Sequence, residues 1–246
     1  MKYFFIAIVF ALSLFAGNVE KGVEAAQRGD FQTALRLWKI EAQKEDPKAQ
    51  YNLGITYHNG YGVKQNYKEA VKWYTLAAKQ GYPDAQYNLG VMYSDGQGVK
   101  QDYKEAIKWY SFAAKQEYPK AQLNLGFMYS KGQGVKQDYK EAVKWYSLAA
   151  KQGDPDAQHN LGFMYDKGQG VKQDYKEAVK WYTLAAKQGH PDAQLNLGFM
   201  YVMGQGIPMD KIKAYQWWLQ AARQGNPNAQ RNLDILCKQS PWACKE

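Results

Sequence analysis

A chain of 246 residues with 20 Tyr, 8 Trp and 9 Phe carries too many large rings to stay unfolded in water, which excludes intrinsic disorder. The length suits one large domain or two small ones. A formal charge of +9 is compatible with anionic partners but specifies none.

The chain starts with Met1 and Lys2, and an uncharged run of 14 residues occupies positions 3–16. That run is shorter than the roughly 20 apolar residues of a membrane-spanning helix, and it has the length of a signal-peptide core. Residues 1–17 are therefore expected to be a signal peptide, with Ala16 or Gly17 as the small residue at the cut. Val23 and Ala25 also fit a cleavage pattern, and an uncleaved anchor is the alternative. No later segment is apolar enough to span a membrane, so the remainder, 18–246, is expected in the periplasm or secreted as a single domain.

Internal repetition dominates the rest of the chain. The phrase Ala-Gln-x-Asn-Leu begins at Ala49, Ala85, Ala121, Ala157, Ala193 and Ala229, in steps of 36 residues without an insertion. Between its copies lies Tyr-Lys-Glu-Ala-(Val/Ile)-Lys-Trp-Tyr, starting at Tyr67, Tyr103, Tyr139 and Tyr175 and diverged after Asp210. Each unit predicts two helices, A and B. In the second unit Pro83 opens helix A, where its missing N–H is not needed, and Ala85, Leu89 and Tyr93 come next at helical spacing. Gly96 and Gly98 break it. Asp102 is an N-cap for helix B, and Glu105 three residues on completes the pattern of a capping box. Asp138 with Glu141 and Asp174 with Glu177 repeat this, whereas Asp210 is followed by Lys213. Gly81, Gly153, Gly189 and Gly225 stand where a helix ends in a left-handed residue. Glu45 and Glu117 occupy the same place, and less sharp turns are expected there. Gly90 in mid-helix costs about 1 kcal/mol against Ala, which predicts a neighbour too close for a side chain, with Trp109 and Tyr110 covering the gap.

Taken together, Ala85, Leu89, Gly90, Tyr93, Gly96, Gly98, Val99, Asp102, Ala106, Trp109, Tyr110, Ala113 and Ala114 resemble the Sel-one-like repeat family, relatives of tetratricopeptide repeats. The resemblance implies an all-α, right-handed superhelical solenoid whose A helices line a concave surface. Repeats are expected at 47–82, 83–118, 119–154, 155–190 and 191–226. A shortened hairpin at 19–45, turning at Gly29-Asp30, precedes them, and a capping helix and tail occupy 227–246. The family also implies a scaffold or adaptor, often exported in bacteria. Some cysteine-rich relatives carry a bridged pair in nearly every unit, and β-lactam binding has been proposed for them. The units of this chain hold no cysteine, which weakens that carry-over. Its two cysteines, Cys237 and Cys244, are expected to form a disulfide near the C-terminus.

Signatures of chemistry are sparse. His58, His159 and His190 fall at different repeat positions without metal-ligand spacing. No common zinc or serine-hydrolase motif occurs. Gly132-Gln133-Gly134-Val135-Lys136 and its copies lack the strand and the full fingerprint of a phosphate loop, so they read as turns. Columns of lysine at Lys68, Lys104, Lys140 and Lys176, and one turn on at Lys72, Lys108, Lys144 and Lys180, predict basic rows on the B helices. These read as a solvated face, with weak contact to anionic lipid or glycan as the functional alternative.

Differences between copies say more than their sameness, since near identity marks recent duplication. One helix-A stripe, at offsets 0, 3, 7 and 10, changes from unit to unit. Its candidate partner-binding residues are Tyr51, Ile55, His58, Tyr87, Val91, Leu123, Phe127, His159, Phe163, Leu195, Phe199 and Arg231. Aromatic and Arg side chains suit a binding groove. Tyr51, Tyr87, His159 and Arg231 are polar-tipped and are expected to be least committed to the core, while the column beginning at Ile55 partly serves packing between repeats. Neutral drift on exposed positions is the alternative. The function expected is a monomeric, exported scaffold that binds a protein or peptide in this groove, with no cofactor and no nucleic acid. A periplasmic inhibitor or immunity protein is a second reading, and a peptidoglycan- or β-lactam-linked enzyme a third.

Overall fold

The protein is described by a computed structural model covering residues 17–244. The expected leader, apart from Gly17, lies outside the described residues. Among these there are thirteen α-helices, one 3-10 turn and no strand.

The helices form two compact units that divide between Gln116 and Glu117. The first holds α1 (Asn18–Gln27), α2 (Phe31–Gln43), α3 (Pro47–Asn59), α4 (Tyr67–Lys79), α5 (Pro83–Asp95) and α6 (Tyr103–Lys115). The second holds α7 (Pro119–Lys131), α8 (Tyr139–Lys151), α9 (Pro155–Lys167), α10 (Tyr175–Lys187), α11 (Pro191–Met203), α12 (Lys211–Arg223), α13 (Pro227–Gln239) and the 3-10 turn Pro241–Cys244. From α3 onward the odd-numbered helices are A and the even-numbered are B, as the repeat predicts. Within each unit a B helix packs against the A helices before and after it: α4 between α3 and α5, α8 between α7 and α9, α10 between α9 and α11. Neither helix of a pair could cover its apolar face alone, so stacking supplies the core.

Local chemistry sets the helix ends. Proline occupies the first turn of each A helix, and Asp102 accepts from the N–H groups of Lys104 and Glu105 at the start of α6. The second half of the capping box does not form. The Asp102 N–H donates instead to Tyr93 O at 2.9 Å, which leaves the Glu105 carboxylate to Lys108 Nζ at 3.1 Å. Gly96 closes α5 in the left-handed region, and a Cβ on Gly98 would collide with the backbone carbonyl of Tyr67. The Gly-x-Gly segments are thus turns held against the preceding B helix.

Gly90 meets the predicted neighbour: a Cβ there would stand 2.6 Å from the Tyr110 ring, which is buried. The end hairpins put a larger ring in this role. Trp38 packs on Gly22 and Trp218 on Gly198, and their indole N–H groups donate to the carbonyls of Val19 at 3.2 Å and Leu195 at 2.9 Å.

The expectation of less sharp turns at Glu45 and Glu117 is not met. They adopt φ of 65° and 62°, the left-handed region that Gly81 occupies at 88°. Around Glu45 the N–H of Asp46 donates to Glu41 O at 3.1 Å, as that of Tyr82 does to Ala77 O at 3.2 Å around Gly81. The helix-ending hydrogen bond fixes the turn and overrides the side chain's preference. A Cβ built at Gly81 or Gly153 meets nothing within 4 Å, so only backbone preference opposes a side chain there.

A glutamine ladder ties successive repeats. Gln80, the C-cap of α4, donates to Gln50 Oε1 at 2.9 Å and to Glu45 O at 2.8 Å, while Gln50 donates to Ala42 O at 3.4 Å. In the second unit Gln188 donates to Gln158 Oε1 at 2.8 Å and Gly153 O at 3.0 Å, and Gln158 donates to Ala150 O at 3.2 Å. The Gln of Ala-Gln-x-Asn-Leu is therefore a buried connector in the first five copies, while Gln230 in the sixth is exposed.

At the C-terminal end, Cys237 and Cys244 sulfurs are at bonding distance with Cα atoms 5.7 Å apart. Ala243 and Ser240 beside them are buried, and Lys211 Nζ donates to Ser240 Oγ at 2.8 Å.

Candidate functional site

The varied stripe divides into a half-buried column at the seam and one that turns outward in the second unit, where the expected order of exposure is reversed, whereas in the first unit Ile55 packs against the core beside Tyr51 as expected. Residues at offset 3 fill the seam between one A helix and the next. Tyr51 lies against Tyr74 and Tyr82, with ring centroids 5.9 and 5.1 Å away, and Asn88 of the next repeat donates to its hydroxyl at 3.5 Å. Burial, helped by the Asp84 carboxylate, pushes the Tyr51 hydroxyl up to about 12. Tyr87 packs on Tyr110 at 5.8 Å, and Leu123 packs into the core of the second unit. Leu195 is 8 % exposed beside Trp218 and is unavailable to a partner, so its placement on a free groove is corrected. Arg231 is exposed, since among the described residues no A helix packs on α13 from the far side.

Offset 7 faces outward. In the second unit Phe127, Phe163 and Phe199 are 44 %, 38 % and 42 % exposed, and Ile235 continues the row. In the first unit Ile55 and Val91 hold the same places and are half-buried. Lys131 and Lys167 stand over the Phe127 and Phe163 rings at 5.9 and 5.8 Å, in cation–π range.

Between neighbouring A helices this column walls pockets. The first unit has one of about 270 Å³ with Ile55 and Val91 as walls and Tyr51, His58, Tyr74 and Asn88 around them. Two repeats on, Phe127 and Phe163 wall a larger pocket of about 450 Å³. Its polar lining includes Ser130, Lys131, Gln137, Tyr146, His159 and Asn160. Ser130 Oγ donates to Phe127 O at 2.8 Å and lies 3.4 Å from the Tyr146 hydroxyl. Burial raises the pKa of the Tyr146 hydroxyl.

The fold brings together two histidines that spacing left unrelated. His159 on α9 stacks on His190, the N-cap of α11, with centroids 4.6 Å apart and planes 18° apart. Burial first, and the neighbouring His190 second, push the His159 pKa down to about 4. A neutral ring suits its contact, since Asn196 Nδ2 lies 3.2 Å from His159 Nε2. His190 Nδ1 accepts from the N–H of Ala193, which leaves Nε2–H to face Asp156 Oδ1 at 3.1 Å. No third ligand joins them: among the described residues no three His, Cys, Asp or Glu side chains gather as a metal site. Burial also lowers the pKa of His58, whose ring meets Tyr67 edge-on at 5.3 Å.

One lysine in each of α4, α6, α8 and α10 pairs within its own helix. Lys144 lies 3.3 Å from Glu141 and 5.7 Å over the Trp145 ring, and Lys72, Lys108 and Lys180 repeat the arrangement. No helix among the described residues is long and apolar enough to cross a membrane.

Comparison with known proteins agrees with the repeat in detail. The Sel1 repeat profile matches residues 47–82, 83–118, 119–154, 155–190 and 191–226. A Sel1 repeat protein from Oxalobacter formigenes superimposes with a TM-score of 0.81 at 38 % identity, over 89 % of this chain and 87 % of that one. A protective antigen present in uropathogenic Escherichia coli strains, which displays an SLR fold, gives a TM-score of 0.88 at 38 % identity. That match takes in 93 % of this chain, which spans half of the antigen's length (50 %). No curated protein matches the chain in sequence.

Proposed function

Since the chain belongs to the Sel1 repeat family, a family of protein-interaction scaffolds, we propose that it is an exported, monomeric module holding a protein or peptide along its helix-A face. The single observation that carries this reading is the outward column Phe127, Phe163 and Phe199, left in water by a fold that buries the rings beside it. Rings held on rigid helices bind with little loss of side-chain freedom, and aromatic anchors set in pockets dominate binding energy. The pockets beside them would take side chains of the partner, with Ser130 and Asn160 as polar contacts.

The test compares wild type with a Phe127→Ser/Phe163→Ser variant as bait against envelope extract. A partner held by wild type and lost by the variant, at an unchanged thermal midpoint, is the expected result. Each ring should contribute about 1–4 kcal/mol. The same partner held equally by both baits would overturn the assignment to this face. Export is checked on the same material: the intact mass should lack about the first 16 or 17 residues, with the two-hydrogen deficit of a Cys237–Cys244 bridge. Full-length, fully reduced protein would refute it.

A further inference from the structure

The B helices carry a second apolar row, on a face that the aromatic column does not use. In the second unit Leu148 on α8 and Leu184 on α10 are 39 % and 40 % exposed. Four residues before them stand Lys144 and Lys180, and three residues after stand Lys151 and Lys187, all exposed. Offsets of −4, 0 and +3 lie on one helix face, so each leucine sits between two lysines. The first unit has the same pattern, with Leu76 between Lys72 and Lys79 and Phe112 between Lys108 and Lys115. A single exposed leucine needs no explanation. A row of apolar residues at the repeat interval, framed by cations on both sides, does.

Charge decides what could cover such a face. On α8 and α10 the exposed lysines are 140, 144, 151, 176, 180 and 187, against Glu141 and Glu177, a balance of 6 − 2 = +4. The two carboxylates are taken up by Lys144 and Lys180 at 3.3 and 3.0 Å. The other four lysines make no ion pair among the described residues. We propose that this face lies on an anionic lipid bilayer, with the lysines at the phosphate headgroups and the leucines in the boundary with the acyl chains. A shallow apolar row flanked by lysines is how a surface helix meets such a bilayer, because the lysine stems follow the apolar surface while their ammonium groups stay in water. A soluble polyanion would satisfy the lysines and leave the leucines wet. Uniformity points the same way: within each unit lysines frame the apolar residue of two B helices, Leu76 and Phe112 in the first and Leu148 and Leu184 in the second. Such a row suits a fluid partner without a sequence.

The test uses the chain without its leader, sedimented with vesicles of phosphatidylcholine alone or with about one third phosphatidylglycerol. Binding is expected with the anionic vesicles only. It should fall about tenfold in a Leu148→Gln/Leu184→Gln variant and by a similar factor in Lys151→Gln/Lys187→Gln. Gln is a good helix former, and Gln220 already holds this position in α12, so the fold should be kept; unchanged helical circular dichroism checks it. Phe127→Ser should leave vesicle binding intact, which separates this face from the helix-A face. No sedimentation with anionic vesicles would overturn the proposal, as would a leucine variant that binds them like wild type. So would polyglutamate binding weakened by the leucine changes as strongly as vesicle binding, since that would make the occupant an acidic polypeptide.

Discussion

His159 gives a direct thermodynamic test of the inter-repeat seam, through a replacement that the protein itself supplies. Its equivalents in the flanking repeats are Leu123 and Leu195, so His159→Leu puts a residue native to this position into the α9 seam. In the folded protein burial, with His190 adding to it, holds its pKa at about 4, below the ordinary histidine value of 6.5. The unfolded chain therefore binds a proton at higher pH than the native one. For a base with a depressed native pKa, the stabilising effect is fully present above the unfolded value and is lost as pH falls from about 6.5 toward 4. A shift of about 2.5 units at 1.36 kcal/mol per unit makes the loss about 2 kcal/mol at pH 5 and about 3 kcal/mol near pH 4. Carboxylates titrate over part of this range in both proteins, so the quantity to follow is the stability difference between wild type and His159→Leu. Urea unfolding by circular dichroism at several pH values between 7 and 4 supplies it. Loss of the Asn196 contact and altered packing shift that difference by a constant, whereas the histidine alone gives it a slope. The leucine variant should gain on wild type steadily as pH falls. A difference flat to within about 0.5 kcal/mol across the range would refute the burial argument.

Two further substitutions test the architecture. Glu117→Gly relieves a left-handed β-carbon that costs about 1–2 kcal/mol but adds unfolded-chain entropy, so a net gain of about 0.5–1 kcal/mol in urea unfolding is expected, and a loss would contradict the turn. Gln158→Ala removes one of two partners each from the Ala150 carbonyl, which keeps the Gly153 N–H at 3.1 Å, and the Gln188 amide, which keeps Gly153 O at 3.0 Å, and this should cost about 0.5–1.5 kcal/mol; hydrogen exchange should rise around α9 and α10 more than in α13, and uniform loosening would deny the ladder its local role.

The repeat makes the helix pairs legible, because its markers are local: a proline in the first turn, an aspartate cap, glycines at the ends. Seam residues are harder to place. Tyr51, Leu123, His159 and Leu195 share one position and differ in polarity, and a polar tip suggests exposure. Their burial follows from the neighbouring A helix, which a single-helix projection does not contain. The opposite error affects Phe127, Phe163 and Phe199, since an apolar column looks like packing until the distance to the next helix is known. Stacking His159 on His190 requires two elements to meet across 31 residues of chain, and no fixed spacing announces such a pair. Gln50 and its copies are visible as invariant letters, but their role depends on Gln80 and its copies, 30 residues on.

The two surfaces left open by this packing differ in a way that bears on what each can hold. Both helix-A positions have changed between copies: Ile55, Val91, Phe127, Phe163 and Phe199 on the outward column are three residue types in five repeats, as are Tyr51, Tyr87, Leu123, His159 and Leu195 at the seam. Variation at a position held rigid and half in water alters what can be recognised while leaving the fold alone. The helix-B row is also free to change. Yet its framing lysines, Lys72 and Lys79 in the first copy, recur unaltered through Lys180 and Lys187 in the fourth. Duplication explains sameness in both rows equally, because they lie in the same 36-residue copies. What duplication does not explain is that over four copies the helix-A column passes from Ile through Val to Phe while the charged frame on the B helices stays fixed. A partner with a distinct shape along the helix-A column and a uniform anionic surface beneath the B helices would together account for that difference.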